Sequence, residues 1–318
     1  MTARNGSSGT PAGESGPGAP TAGRPSALRR SLELVGALLA TASVVFIAAS
    51  LVGRESALDP LLRGEGVWLA GLALAVAYAL ASLLLALAWG CLLRHLGERA
   101  APFQVAGIFG VTQLGKYLPG NLGHFLGRQA LAMAAGLRAA PVAKSSLLEI
   151  LCLLAAGAVF TPLLLRFLDP SVTPGTALGA LALLGALVLL LAGRLLGRLV
   201  AVACAAHAAF LAVTGVLFLL SLEVLDASPP AEAGASARVV GAYVCAWLAG
   251  FVTPGASAGI GIREVALTVL LDGLIAPDDV LAAVILGRAI STVGDLLFFL
   301  GALSSWSTRG RRTTRCDG

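Results

Sequence analysis

Long apolar runs separated by short charged segments dominate the chain after residue 33. An α-helix rises about 1.5 Å per residue, so roughly 20 apolar residues cross the hydrocarbon core of a bilayer. The third run extends back to about residue 143 if Glu149 is accepted within the helix, and the last run contains Arg288 and Asp295. The pattern predicts six full transmembrane helices, over residues 34–53, 66–93, 150–165, 175–193, 199–222 and 280–303.

Two further apolar stretches, 101–118 and 239–253, each run into a Pro-Gly dipeptide and then into a glycine-rich segment. Proline removes a backbone donor and glycine exposes the backbone, so both helices are expected to break there. Broken backbone at membrane depth is tolerated only inside protein or beside a water-filled cavity. We therefore predict two re-entrant or broken helical elements in addition to the six spans.

The second half of the chain repeats the first at a constant offset, and this offset also places the first three spans on the last three. We predict two repeats, 28–168 and 169–306, between a low-complexity arm (1–27) and a basic tail (307–318). The arm consists mostly of small residues and proline, so it is expected to be disordered. The matched positions are Gly115, Pro119, Gly120, Arg128 and Gln129 with Gly250, Pro254, Gly255, Arg263 and Glu264.

Composition restricts the fold class further. Hydrophobic residues make up 57% of the chain and charged residues 12%, and the mean hydropathy is +0.89. Water-soluble domains carry about 25% charged residues, so a soluble fold is excluded. The apolar runs are also too long for the alternating strands of an outer-membrane barrel, which span roughly 10 residues. The expected fold class is an all-α polytopic membrane protein.

Basic and acidic residues alternate between the loops. The chain has 22 basic and 17 acidic residues, and the basic ones lie before the first span, after the second, before the third, between the fourth and fifth, and at the end. The positive-inside rule therefore places both termini in the cytoplasm, within the cytoplasmic (inner) membrane, and gives no reason to expect a nucleic-acid partner. Each repeat contributes three full crossings of the membrane and one element that returns to its own side, so the second repeat is inverted relative to the first. Inverted repeats with broken elements near the middle of the membrane are found in transporters.

Polar side chains surround the first predicted break. Lys116, Tyr117, Asn121, His124 and Arg128 are hydrogen-bond donors beside the free amides of a broken helix end, which favour an anion. A phosphate head group is the ligand that this chemistry predicts. The alternative is a cytosolic loop whose basic residues only anchor the chain at the membrane interface.

The second break and the last span add further charged residues. Arg263 and Glu264 are adjacent, so they point in different directions on a helix and need not pair; they could form a gate, a ligand contact or a helix start. Arg288 and Asp295 lie about two turns apart, and ionisable groups at such depth usually face the protein interior or a cavity. A structural ion pair, within the helix or between helices, is the alternative. Glu149 lies nearer the cytosolic edge and could snorkel, so it has less functional weight.

These considerations give a set of candidate substrate-binding residues that surround the two breaks or lie within the last span. Its members are Lys116, Tyr117, Pro119, Gly120, Asn121, His124, Arg128, Pro254, Gly255, Arg263, Glu264, Arg288 and Asp295.

Signatures of enzymatic chemistry are lacking in the sequence: it has no nucleophile–base constellation, Walker motif or metal-ligand spacing. We therefore expect no catalytic residue, no cofactor and no metal. Asp278 and Asp279 could be compared with an acidic motif of glycosyltransferases, but after Pro277 they indicate first the start of a helix. The cysteines form no C-x-x-C pair and are expected to be small packing residues.

The two breaks together carry a recognisable pair of motifs. Residues 116–128 read K-Y-L-P-G-N-x-G-H-x-x-G-R, and residues 253–264 read T-P-G-x-x-x-G-x-G-x-R-E. In this combination, over about residues 28–306, the chain resembles the lysylphosphatidylglycerol synthase transmembrane-region family of flippase-like bacterial membrane proteins. In larger members this region translocates lipid and is joined to a cytosolic aminoacyl transferase domain. The chain ends soon after its last span, so the resemblance implies the stand-alone form and lipid transport rather than synthesis.

The function expected from the sequence is movement of a phospholipid or a lipid-linked anionic substrate between leaflets, with Arg128 and Arg263 as equivalent phosphate-binding groups. One alternative is an integral-membrane transferase that acts on a lipid carrier through Asp278, Asp279 or Glu264. Another is a non-transporting membrane scaffold. Association into a homo-oligomer, or with a partner enzyme, remains open at this point.

Overall fold

A computed structural model of the chain describes residue 61 and residues 64–117, 123–253 and 261–313. Among these residues 84% are helical and none forms a strand, which confirms an all-α polytopic membrane protein. The helices of this part that are long and apolar enough to cross a membrane are Glu65–His95, Ala139–Leu168, Pro174–Leu196, Arg198–Val224, Ala235–Val252 and Pro277–Ser304. Outside the described residues lie the predicted arm (1–27), the predicted span 34–53, the end of the basic tail, and the candidates Pro119, Gly120, Asn121, Pro254 and Gly255.

Five of the predicted spans are confirmed as helices, and short turns extend several of them. The described helices are α1 (Glu65–His95), α2 (Pro102–Gln113), α3 (Gly123–Ala134), α4 (Ala139–Ala158), α5 (Pro174–Leu191), α6 (Arg198–Val224), α7 (Ala235–Val252), α8 (Ile262–Leu270) and α9 (Pro277–Thr313). The turn Leu114–Tyr117 continues α2, Thr161–Leu164 and the single turn Leu165–Leu168 extend α4, and the π-helical turn Ala192–Leu196 follows α5.

The start of α9 confirms one local prediction. Pro277 is its first residue, and Asp278 and Asp279 lie in its first turn. Proline lacks the backbone N–H that would have no partner at this position, and acidic residues interact favourably with the positive end of the helix dipole. The acidic pair therefore has a structural reason to lie where it does.

The helix before the second break is longer than predicted. Residues 239–253 were expected as one half of a broken element, but α7 begins at Ala235 and has 18 residues. Such a helix is about 27 Å long, whereas α2, with 12 residues, is about 18 Å long. The predicted stretch begins at residue 239, directly after the charged Arg238. In the structure Arg238 lies in the first turn of α7, with its guanidinium carbon 5.7 Å from the centroid of the Phe167 ring.

The order of helices supports the internal repeat. At the offset found in the sequence, the first residues of α1, α2, α3 and α4 fall within about four residues of the first residues of α6, α7, α8 and α9. In both halves a long helix is followed by the element before a break, then by a shorter helix, and then by another long helix. The inversion of the second repeat across the membrane stays a prediction.

The packing places α6 at the centre and α5 at the periphery. In their most apolar stretches 56% of the α6 residues are buried but only 11% of those in α5, so most of α5 is left uncovered by the other described helices. α1 packs against both α6 and α9. A Cβ atom at Gly294 of α9 would lie 2.8 Å from the carbonyl oxygen of Ala75 in α1, so this crossing requires glycine. The three central helices therefore approach closely enough to shape the space between them.

Three of the cysteines pack as expected. Cys91 of α1, Cys152 of α4 and Cys204 of α6 are buried in one small apolar cluster, and Cys245 of α7 is half-buried. None of these four forms a disulfide. Their role in the described part of the chain is to fill space between helices.

Candidate functional site

A cavity with about 140 Å³ of space for the centres of water-sized molecules, partly open to the surroundings, lies among the helices. We call it the central cavity. Nine aromatic or aliphatic side chains from α1, α2, α4, α6 and α7 line it. The charged residues that line it are Lys116, Arg128, Glu149, Arg263 and Arg288. Four cations and one anion thus face the same space.

Arg128 of α3 is deeply buried, with 1% of its surface exposed, and donates a hydrogen bond to Glu149 of α4. Its guanidinium carbon lies 4.0 Å from the centroid of the Phe109 ring, and the rings of Trp89 and Phe125 also lie beside it. A buried charge requires such a partner because its desolvation is costly. Glu149, which could have snorkelled to the cytosolic edge, is instead 7% exposed and bound to Arg128 inside the protein.

A second ion pair ties the turn after α2 to α9. Asp295 has no exposed surface and accepts hydrogen bonds from the Tyr117 hydroxyl at 2.5 Å and, in a salt bridge, from Lys116 Nζ at 2.6 Å. The turn itself packs tightly on the start of α3. A Cβ atom at Gly115 would lie 2.8 Å from the backbone nitrogen of His124. Glycine at this position therefore allows the turn Leu114–Tyr117 to pack against the start of α3.

The third pair joins α8 to α9. Glu264 accepts a hydrogen bond from Arg288 Nε at 2.6 Å and another from the backbone N–H of Gly261, also at 2.6 Å. Gly261 has a φ of 89°, a conformation that glycine adopts without strain. Glu264 therefore caps the start of α8 and neutralises Arg288. Arg288 and Asp295 of α9 thus form ion pairs with other elements, because Asp295 pairs with Lys116 rather than with Arg288.

Arg263 has a different environment from the other three cations. Its guanidinium carbon lies 4.3 Å from the centroid of the Tyr243 ring in α7. Within residues 64–117, 123–253 and 261–304, no carboxylate oxygen lies within 4.0 Å of it. Arg263 and its neighbour Glu264 form no ion pair with each other, since Glu264 pairs with Arg288. Arg263 is half-buried, so it is a cation on the cavity wall whose electrostatic partner is an aromatic face.

Among the charges that the structure describes around the central cavity, one cation is left without a carboxylate partner. Glu149 pairs with Arg128, Asp295 with Lys116, and Glu264 with Arg288. Arg263 is the remaining charge. An anionic group that entered beside it would be attracted across a wall of low polarity, where Coulomb interactions are stronger than in water. The geometry is suited to binding an anion.

The two repeats place their arginines in corresponding surroundings but pair them differently. Arg128 lies on Phe109 in the helix before its break, and Arg263 lies on Tyr243 in the helix before the other break. Position and ring contact are thus equivalent, as the repeat predicts. The ion pairing is not, because Arg128 has a carboxylate partner and is fully buried. The two arginines cannot have the same role in this conformation.

The candidates predicted from the sequence, where the structure describes them, gather at this one cavity. Glu264 and Asp295 bind residues of its wall through the ion pairs described above. Lys116, Tyr117, His124, Arg128, Arg263 and Arg288 line it directly.

Other wall residues were not predicted from the sequence. They are neutral side chains within apolar runs, and only the direction in which each helix face points reveals them. The neutral polar residues missed are Tyr78, Gln113, His207, Thr214, Tyr243, Ser291 and Thr292.

The buried carboxylate of α9 gives a first stability test. Asp295→Asn keeps the shape of the side chain but removes its charge, leaving Lys116 without a counter-ion. Hydrogen bonds to charged groups contribute about 1.5–3 kcal/mol each, so we expect the free energy of unfolding in detergent to fall by about 2–3 kcal/mol. The matched control is Asp272→Asn, at an exposed residue between α8 and α9. An equal effect of both substitutions would show that the pair contributes nothing.

Comparison of the chain with protein-family models and with curated proteins found no match. The resemblance to flippase-like membrane proteins stays a prediction from the two motifs.

Proposed function

We propose that the protein moves a lipid with an anionic head group, or a lipid-linked anionic substrate, between the leaflets of the cytoplasmic membrane. The observation that carries this proposal is Arg263, a cation without a carboxylate partner in the described ranges, on the wall of a cavity inside a bundle of apolar helices. The proposal includes two inverted repeats and cytoplasmic termini.

The physical reason lies in the cost of moving a phosphate out of water. A charged group pays a large desolvation penalty on entering a medium of low polarity. A guanidinium offsets part of that penalty because it binds phosphate through two parallel hydrogen bonds. In the proposed mechanism the head group enters the central cavity beside Arg263 while its acyl chains stay among the apolar helix surfaces.

The three saturated ion pairs have a complementary role in this proposal. They keep buried charges neutralised, so that the cavity attracts one anion and not several. They also join α3 to α4, the first break to α9, and α8 to α9. α9 is thus linked to both predicted breaks, and the head group would pass between elements that share this helix.

Glu264 and Asp279, two of the residues that the transferase alternative would use, already have structural roles. Glu264 caps α8 and binds Arg288, and Asp279 lies in the first turn of α9. Mass spectrometry of lipids incubated with the protein separates the alternatives. A chemically altered lipid would support an enzyme, whereas unaltered lipid that changes leaflet supports transport.

The orientation in the membrane gives the second prediction. Cysteines introduced in the acidic loops should react with an impermeant thiol reagent from outside the cell, after the native cysteines are replaced. Those introduced in the basic loops should not react. In the described part of the chain all these sites are exposed, so burial would not explain a lack of reaction. The outer sites are Asp59, Asp169 and Glu232, and the inner sites are Arg99, Arg138 and Arg194. Labelling of both sets from one side would contradict the inverted topology.

The lipid that copurifies with the protein tests the proposed ligand. Protein extracted in a mild detergent should carry an anionic lipid at a higher proportion than the membrane from which it was extracted. The Arg263→Ala variant should lose that enrichment, and Arg238→Ala should keep it, because Arg238 lies on an aromatic ring but does not line the cavity. Lipid of the same composition as the bulk membrane on all three proteins would contradict an anion site.

A further inference from the structure

His207 presents an unpaired hydrogen-bond acceptor to the central cavity. This residue of α6 is 1% exposed and lines the cavity. Its Nδ1 atom lies 2.7 Å from the backbone oxygen of Ala203. A carbonyl oxygen only accepts, so Nδ1 carries the hydrogen, and in the neutral ring Nε2 is then an acceptor. Among the described residues no donor reaches Nε2.

Arg128, on the wall of the same cavity, has an unpaired donor. One terminal nitrogen of its guanidinium binds Glu149, but the buried Nε–H has no hydrogen-bond partner in the part of the chain that the structure describes. A donor and an acceptor, each buried and each without a partner among the described residues, thus belong to two residues of one cavity wall. Buried polar groups are rarely left so.

We infer that His207 and Arg128 form a subsite for a hydroxyl group, and that the lipid moved by this protein is a polyol phosphodiester. This inference rests on the proposed function: the phosphate would lie at Arg263, and a hydroxyl of the head group at His207 and Arg128. A hydroxyl oxygen accepts from Arg128 Nε–H and donates its own hydrogen to His207 Nε2.

Other head-group chemistries satisfy only one of the two atoms. An ammonium donates to Nε2, but it has no lone pair for Arg128 and is repelled by that charge. A second phosphate accepts from Arg128 but, when fully ionised, has no hydrogen for His207. A head group without any donor leaves Nε2 desolvated and unpaired, which is costly. The pair therefore selects for a hydroxyl.

The remaining wall fits a bulky head group of this kind. The rings of Trp247 and Phe251 are stacked with their centroids 5.3 Å apart and their planes 10° from parallel, and both line the cavity. They present a flat surface on α7, the helix that also carries Tyr243, the partner ring of Arg263. A cyclic polyol offers a flat apolar face to such a surface and hydroxyls to the opposite side.

The test compares two lipids of equal charge. Phosphatidylinositol and phosphatidylmethanol with the same acyl chains each carry a single phosphodiester charge, but only the first has hydroxyls. In vesicles containing the wild-type protein, we expect the inositol head group to change leaflet at least about ten-fold faster, since a site built to bind a hydroxyl rejects analogues that lack it. Equal rates would overturn the hydroxyl subsite and leave the proposed function standing. Movement of neither lipid would overturn both.

Variants at His207 separate recognition from structure. His207→Phe keeps a ring but removes the acceptor, so the ratio of the inositol transfer rate to the methanol transfer rate should fall to about one. His207→Gln places an amide oxygen near the position of Nε2 and should restore part of the preference. Thr214→Val is the matched control on α6, because Thr214 also lines the cavity but already donates to Leu211. It should keep the full preference. A His207→Phe protein that slows both lipids equally would assign the histidine a structural role and overturn the inference.

Discussion

Arg263→Ala should slow head-group transfer at least about thirty-fold while the protein still folds. Removing one partner of a desolvated charge pair costs about 2–5 kcal/mol, and the lower limit corresponds to that factor. Folding is spared because Arg263 is half-buried and has no carboxylate partner in the described ranges, so its loss leaves no charge buried alone. The measurement is transfer of a labelled anionic lipid in vesicles that contain equal amounts of each protein.

Two further variants identify the role of the guanidinium. Arg263→Lys should recover only part of the rate, because lysine is a point charge without the planar fork that binds phosphate bidentately. Arg238→Ala should transfer at the wild-type rate, since that arginine also lies on an aromatic ring but away from the cavity. Wild-type transfer by Arg263→Ala, or complete rescue by lysine, would contradict a phosphate site at Arg263.

Arg128→Ala should instead destabilise the protein by about 3–5 kcal/mol. The substitution leaves Glu149 buried without its cation, and an uncompensated buried charge is among the most costly defects in a folded chain. We expect the free energy of unfolding in detergent, and the yield of folded protein, to fall accordingly. Lys144→Ala is the matched control on the same helix as Glu149. That lysine is exposed, so its effect should stay within about 0.5 kcal/mol.

The double variant Arg128→Met with Glu149→Leu tests the origin of this loss. Replacing both members of a buried pair with apolar residues is often neutral for stability. The double variant should therefore be more stable than Arg128→Ala, although it removes the proposed hydroxyl subsite. A double variant as unstable as the single one would show that the effect comes from packing on Phe109 and not from the unpaired carboxylate.

The two arginines show how far sequence reasoning reaches. Their place after each Pro-Gly break, and the repeat that relates them, can be predicted because proline, glycine and apolar run length act locally. Their partners cannot be predicted in this way. Glu149 had seemed free to snorkel, yet the packing of α4 beside α3 turns it towards Arg128. The sequence alone thus predicted equal roles, and the ion pairs distinguish them.

The sequence was equally limited as a guide to helix boundaries and to the neutral residues of the cavity wall. A charged residue was treated as the end of an apolar run, but Arg238 lies within α7, where its side chain contacts the Phe167 ring. His207 and Thr214 carry no charge that would distinguish them from packing residues in a run of small apolar side chains. Only the direction of the α6 face shows that they line the cavity.

Head-group accessibility in reconstituted vesicles tests directly whether the protein moves an anionic lipid between leaflets. Vesicles are prepared with an anionic lipid labelled at the head group in both leaflets, and an impermeant reductant is then added from outside. With wild-type protein, the account predicts that nearly all of the label is reduced and that mass spectrometry finds the lipid chemically unchanged. Reduction of only the outer-leaflet label, in vesicles shown to contain folded protein, would contradict it.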